Sequence, residues 1–469
     1  MPDARSIDVA WGPVVAAGVA VGAASLLIQH ALGYDAWAWM VWARELLHGT
    51  FRTAGGPAFK ALPVIAAAPL TPFGDLAPLV WLAAMRACAL LALVVAWRAG
   101  ARLGGMLGGV AAAVLVAIGP DLYRTALYGS SEPLLVLLVL LAADRYLAGV
   151  ERAPIALLGV AGLIRPELWP LVIVLALAVT VRHRRLDPLV VAAAVLPPVI
   201  WLGLSMAGGG ASRVFHAAAP ELLCSGCALA TLPLRATLNL NQPTDALGVM
   251  RRLTEALVLP ALVLTGVGIV VAARRRLTRP LVIACFAGAW IVIVAAMAQA
   301  GYTGSRRYLV GPAALLALLA GGGLALVVHA LRDRPARIAV AVAIGVVVLV
   351  AAAPTLRSDA RLVGTARGVE RELSDLRAAV ALAGGRRAVL AVGHPAVNPV
   401  AQTALAWDLH APLTGVQATW NSTRRRPHWS PPAIVFRGPE HDFGPAPAIP
   451  RGRPVRRVGR AGGWLVLRS

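Results

Sequence analysis

A succession of apolar stretches, each close to the length that crosses a bilayer, limits what this chain can fold into. A spanning helix needs about 20 apolar residues, because every backbone polar group in lipid must be satisfied within the segment itself. The first stretch runs from Trp11 to Leu32. Others follow at 77–97, 102–119, 132–148, 154–164 with 167–181, 187–206, 255–273, 280–300, 308–331 and 337–354. The segment 154–181 is too long for one upright span and is interrupted by "RPELWP". Two short helices meeting at Arg165-Pro166-Glu167 fit both of its basic flanks. Counted that way, the chain is a polytopic α-helical membrane protein with about eleven membrane helices.

The connections alternate in character. "RAGAR", "DRYLAGVER", "RHRRLD", "RRRLTR" and "RDRPAR" are short and arginine-rich, which places them in the cytoplasm. Residues 33–76, 120–131, 207–254 and 301–307 carry Trp, Tyr, Gly, Pro and carboxylates, and are placed outside. The expected location is therefore a cell membrane crossed many times, with the chemistry on the extracytoplasmic face. Only 14% of residues are charged, against about 25% in soluble proteins. Much of the arginine behind the net charge of +22 sits in short clusters between apolar runs, so the charge indicates membrane sidedness and no nucleic-acid partner.

After Pro354 the pattern changes. Residues 1–354 are expected to form the membrane domain and 355–469 a small extracytoplasmic α/β domain. In the latter, 356–382 reads as helix, and "RAVLAVG", "AIVFRG" and "WLVLRS" read as short strands. "WNSTRRRPHW" at 420–429 is either a glycan-binding segment or an ordinary solvated loop. Cys224 and Cys227 form "CSGC" in an outer loop. A local disulfide fits them better than a metal site, since no second ligand pair accompanies them.

Several polar residues at the outer mouths are candidates for chemistry. Asp35 opens a helix, "YDAWAWMVWARELL", at the end of the first span. It suits an N-cap as well as a functional carboxylate. Trp37, Trp39 and Trp42 fit an aromatic belt lying along the membrane surface, with Arg44, Glu45 and His48 facing water or headgroups. Lys60 is the single lysine among 44 basic residues. It sits before a short apolar run that dips into the interface, where it either meets a phosphate or simply snorkels. The second outer loop supplies Asp121 and Glu132, with Ser130 and Ser131 as helix caps. Arg165 and Glu167 lie in the broken segment, either as a mutual ion pair or as lining of a cavity. Arg306, Arg307 and Tyr308 stand on an outer loop, against the positive-inside trend, and suit an anionic headgroup or phosphate. Arg86 lies within the second span and needs a partner.

The acid in "GYDAWAWMVWARELLHGTF", the long loop after it, "SSEP", "GLIRPE" and "SRRYLVGP", in this order and on one side, resemble the GT-C glycosyltransferases. The resemblance covers residues 10–355. It implies a polyprenyl-phosphate-sugar donor and a glycan, lipid or protein acceptor among membrane lipids. It further implies Asp35 as catalytic base with inversion at the anomeric carbon. Lys60, Arg306, Arg307 and Tyr308 would lie near the donor phosphate, and Asp121 or Glu132 would be a second carboxylate. A divalent cation accompanies paired acids in many members, whereas here the first loop has Asp35 without an adjacent acid. A polytopic lipid or glycan transporter, and a non-catalytic partner in envelope assembly, remain open beside the enzyme. Among sugars, mannose and arabinofuranose are both compatible.

Overall fold

The computed structural model describes residues 10–53, 56–119, 121–209, 246–299, 304–418, 430–443, 446–447 and 455–469. Cys224, Cys227 and the 420–429 segment lie outside these residues.

Helices follow the apolar stretches. They are α1 (Trp11–Ala24), α2 (Tyr34–Leu47), α3 (Ala61–Ala67), α4 (Ala77–Ile118), α5 (Leu122–Leu127), α6 (Glu132–Leu147), α7 (Arg152–Gly162), α8 (Trp169–His183) and α9 (Pro188–Ala207). The series continues with α10 (Ala246–Ala256), α11 (Leu259–Arg274), α12 (Thr278–Gln299), α13 (Val310–His329) and α14 (Arg334–Leu382). By length and apolarity, six described helical segments can cross a membrane, or seven if the bent pair α10–α11 counts as one. The count is smaller than the expected eleven for two reasons. Residues 61–118 count as one segment, and α1, α6 and α7 are shorter than a full span.

Small residues set the packing. α4 folds back at Gly104-Gly105, where Gly105 adopts φ 64°, a conformation open to glycine at little cost. The two halves touch backbone to backbone. A Cβ on Gly109 would stand 2.6 Å from the Trp97 carbonyl, and one on Gly321 of α13 the same distance from the Gly108 carbonyl. Close glycine contacts of this kind let helices associate where no hydrophobic drive separates them from lipid. α13 is the central helix, with 89% of its apolar window buried. The break in 154–181 falls where the sequence places it, between α7 and α8. There the Leu163 carbonyl accepts from the Leu62 amide at 3.2 Å, and the Gly162 carbonyl accepts from the Trp169 indole at 2.9 Å. Protein thus satisfies the interrupted backbone, as an environment without water requires.

α14 runs unbroken through residues 354 and 355, so the change in composition falls inside one helix. Beyond it come α15 (Gly385–Val392), α16 (Gln402–Asp408), α17 (Glu440–Phe443) and five strands. These are β1 (Ala396–Val397), β2 (Gln417–Ala418), β3 (Ile434–Arg437), β4 (Arg456–Ala461) and β5 (Trp464–Arg468), in the order β2-β1-β3-β5-β4. β1 pairs in parallel with β2 and β3, while β5 is antiparallel to β3 and β4. "AIVFRG" and "WLVLRS" are strands as expected. "RAVLAVG" instead forms the helix α15, which buries only Val389.

α2 departs most from its expected place. Trp39 and Trp42 are fully buried and Trp37 nearly so. The helix shares one core with α3, Trp81, Leu405, Leu413 and Trp464. It is therefore no surface-lying aromatic belt. The 396–468 layer lies over it, with Trp37 packed 6.2 Å from Trp407. Arg44 and Glu45 do not face water. Arg44 donates to the carbonyls of Ala406, Trp407 and Ala411. Glu45 accepts from the Arg52 and Leu413 amides at 3.0 Å each. Burial raises the Glu45 pKa, against the pull of these two amides.

Candidate functional site

Asp35 stands in the first turn of α2, where the helix dipole favours a carboxylate. It is not the cap: Gly33 holds that position and no side chain caps the helix. The Gly33 amide donates to the Tyr128 carbonyl at 2.9 Å, which ties the start of α2 to the end of α5. From the far side, Thr403 of α16 donates to the Tyr34 carbonyl at 2.9 Å and Tyr34 Oη to Gln402 Oε1 at 3.3 Å.

Glu132, at the start of α6, is the centre of the charged cluster. Its Oε1 accepts from Arg165 Nη2 at 2.8 Å, Lys60 Nζ at 3.0 Å and Arg307 Nε at 3.3 Å. Arg307 Nη2 reaches Asp35 Oδ2 at 2.5 Å, so one guanidinium bridges both carboxylates. Arg165 also donates to the Arg307 carbonyl at 2.7 Å and lies 4.6 Å over the Tyr308 ring. Lys60 additionally donates to Ser131 Oγ at 2.9 Å, and lies 5.2 Å from the centre of the Trp39 ring. Such contacts add attraction in desolvated surroundings. Four segments distant in sequence thus converge on one point.

Exposure divides the cluster. Glu132 is fully buried, and the side chains of Lys60 and Arg165 are under 10% exposed. Asp35 and Arg307 remain open, with side chains 21% and 38% exposed. Lys60 lies just before the membrane segments, and burial lowers its pKa to about 8 although Glu132 opposes the shift. Arg307 is held above the usual arginine value, first by Glu132 and then by Asp35. Against the two carboxylates stand three cations, so a further anion is electrostatically welcome.

Beyond Arg307 lies a cavity of about 480 Å³. Arg124, Arg252, Arg306 and Arg307 line it together with Asp121 and Glu255. Arg306 Nε pairs with Asp121 Oδ2 at 3.2 Å, and Asp121 holds a left-handed φ of 51°. A chain read only in one dimension does not reveal Arg252, Glu255, Trp39 or Thr403 as neighbours of the site. The signal for Arg252 was present, since it too is an arginine on a connection that the sequence reads as outer.

Other expected roles change. Glu167 is buried, and its Oε2 has no hydrogen-bond partner among the described residues. Arg165 bonds to Glu132 rather than pairing with Glu167, because the 163–165 break turns it toward α6. No side chain caps α6, and Ser131 serves as acceptor for Lys60. Arg86 donates to Gln29 Oε1, to the Ser25 and Leu127 carbonyls and to Ser25 Oγ. It thereby locks α4 to the end of the first span. Among the described residues no group of three or more His, Cys, Asp or Glu converges as metal ligands.

No protein-family model matches the sequence, and no curated protein matches it. Solved structures do match. ArnT from Cupriavidus metallidurans bound to undecaprenyl phosphate aligns over 98% of both chains, with TM-score 0.58 and 16% identity. The apo state of the same protein aligns over 97% of both, with TM-score 0.53 and 16% identity. The apo oligosaccharyltransferase of Archaeoglobus fulgidus aligns over 74% of this chain and 55% of its own, with TM-score 0.45 and 13% identity. Across nearly its whole length, this chain has the fold of the ArnT structures, a membrane-embedded architecture.

Proposed function

We propose that the chain is a GT-C glycosyltransferase that moves a sugar from a polyprenyl-phosphate-linked donor to an acceptor outside the cytoplasm. One observation carries this reading. The half-open carboxylate of Asp35 is bridged by Arg307 to a cluster with surplus positive charge, and Arg307 also forms a wall of a polar cavity. The fold shared with a protein crystallised with undecaprenyl phosphate supports a lipid phosphate as the anion that the cluster receives.

The chemistry follows from the placement. An acceptor hydroxyl beside Asp35 gives its proton to the carboxylate. The acceptor oxygen attacks the anomeric carbon as the bond from that carbon to the phosphate oxygen breaks. In-line attack inverts the anomeric centre. The electron pair departs on the polyprenyl phosphate, whose growing charge is stabilised by preorganised cations. Arg307 is open enough to touch that phosphate. Lys60 and Arg165 are buried behind Glu132 and add to the local field, and Arg165 also holds the Arg307 carbonyl. Tyr308 supports Arg165 through its ring.

The test is Asp35→Asn in proteoliposomes given polyprenyl-phosphate-linked hexoses and pentoses together with an envelope extract as acceptor. Removing a general base costs roughly 100-fold to 10,000-fold in rate, while undecaprenyl phosphate should still bind. Transfer at the unaltered rate would remove Asp35 from the mechanism. Movement of donor across the bilayer without any new glycoside would favour a transporter.

A further inference from the structure

At the arginine-rich end of the molecule, remote from Asp35, a second cavity of about 230 Å³ opens between α6, α7, α8, α12 and α13. Its walls are apolar, among them Val139, Leu158, Leu175 and Phe286. Polar groups occur only toward its mouth, as Tyr146, Glu151 and Arg182. An engineered apolar cavity of about 150 Å³ stays dry and takes up an apolar guest, and this one is of comparable size and lining.

The mouth has a charge bias. Glu151 Oε1 accepts from Arg182 at 2.9 Å and its Oε2 meets His183 at 2.6 Å. Arg279, at the start of α12, donates to the Leu147 carbonyl at 3.0 Å, at the end of the same α6 that carries Tyr146. At that end Asp144 is shared by Arg98, Arg102 and Arg145. Single carboxylates thus face several guanidinium groups. A guest that places a chain between these helices must carry its head into this positive field. Basic pockets between membrane helices on the cytoplasmic side are where anionic phospholipid headgroups bind.

We propose that this cavity is a binding site for one acyl chain of an anionic phospholipid from the adjacent leaflet, with the lipid phosphate held by Arg182 and Arg279. The site is independent of the sugar-transfer reading. It would make the packing of α6, α7, α8 and α12 sensitive to the surrounding lipid.

Native mass spectrometry of the full chain, released from detergent with phosphatidylglycerol or phosphatidylcholine of matched acyl chains, tests it. One phosphatidylglycerol should stay bound under conditions that strip phosphatidylcholine. The double substitution Arg182→Gln with Arg279→Gln should weaken that binding roughly 30-fold, at about 1 kcal/mol per arginine. As a control for general loss of charge, Arg332→Gln with Arg334→Gln at another connector should leave it intact. Arg182 is 72% exposed in its side chain, and size-exclusion elution of each variant reports folding. Equal retention of both lipids overturns the proposal, as does equal loss in the control pair. Tighter retention of undecaprenyl phosphate than of phosphatidylglycerol, lost in the first pair, would reassign the site to the isoprenoid lipid.

Discussion

Glu132 is a fully buried carboxylate with three cations on one oxygen. Its other oxygen has no hydrogen-bond partner among the described residues. A buried ion pair is a poor source of stability but costly to break, so the arrangement favours a role in positioning. Glu132 keeps Arg307 directed at Asp35. Lys60 bears on this through its proton. Burial lowers its pKa from 10.5 to about 8, so it is charged at pH 7 and loses that charge as pH rises through about 8. Glu132 then has one cation fewer and draws harder on Arg307, and the site has less positive charge for a phosphate. Affinity for undecaprenyl phosphate should therefore fall several-fold between pH 7 and 9, measured by titration in detergent. Lys60→Arg keeps its charge over this range, and its affinity should be flat. Superimposable pH profiles for the two proteins would show that Lys60 does not set the effect.

At the scale of elements, α2 joins the catalytic candidate to the 396–468 layer. Asp35 follows Tyr34, whose carbonyl accepts from Thr403 on α16. Thr403→Val removes this side-chain donor from the Tyr34 carbonyl, at a cost of about 1 kcal/mol. Sugar transfer should drop while undecaprenyl phosphate still binds, and Thr403→Ser should restore both stability and rate. If the serine variant stays as slow as the valine one, the hydrogen bond is not what positions Asp35. This contact was hidden from the sequence because its partners lie 369 residues apart. What could be read were features with a local cause. Apolar runs gave the helices, "RPELWP" the break, and alternation gave β3 and β5. α2 was misplaced because tryptophans suit both a lipid interface and a core, and the covering layer comes from the other end of the chain. α15 looked like a strand because "AVLAV" is apolar in either geometry. β4 was missed because "RRVGRA" is basic and largely exposed, as an edge strand is. The acids and arginines of the site were visible as charges at mouths read as outer. Which of them meet was not, since Arg165 turns to Glu132 only through the backbone break.

The whole molecule is polarised. Arg307 lies three residues before Val310, where α13 starts, and that helix carries the chain about 30 Å to His329. Around Arg307 lie Asp35, Glu132 and the 480 Å³ cavity. At the opposite end, Asp144 with Arg98 and Arg102, Glu151 with Arg182, and Asp187 with Arg152 join neighbouring connectors. The short arginine-rich connectors thus meet one another, as expected if they share one side of a bilayer. The 396–468 layer shares a core with α2 and belongs to the Asp35 end. Sidedness then has a direct consequence for function. A donor linked to a lipid phosphate is needed where nucleotide sugars are absent, so Asp35 should face outward. Alkaline phosphatase, which is active only outside the cytoplasm, should be active when fused after Ser469 and inactive when fused after Arg185. Green fluorescent protein should give the reverse. Fusions with the opposite signs would place Asp35 on the cytoplasmic side, where a soluble nucleotide sugar could serve as donor, and would remove the reason for a lipid-linked one.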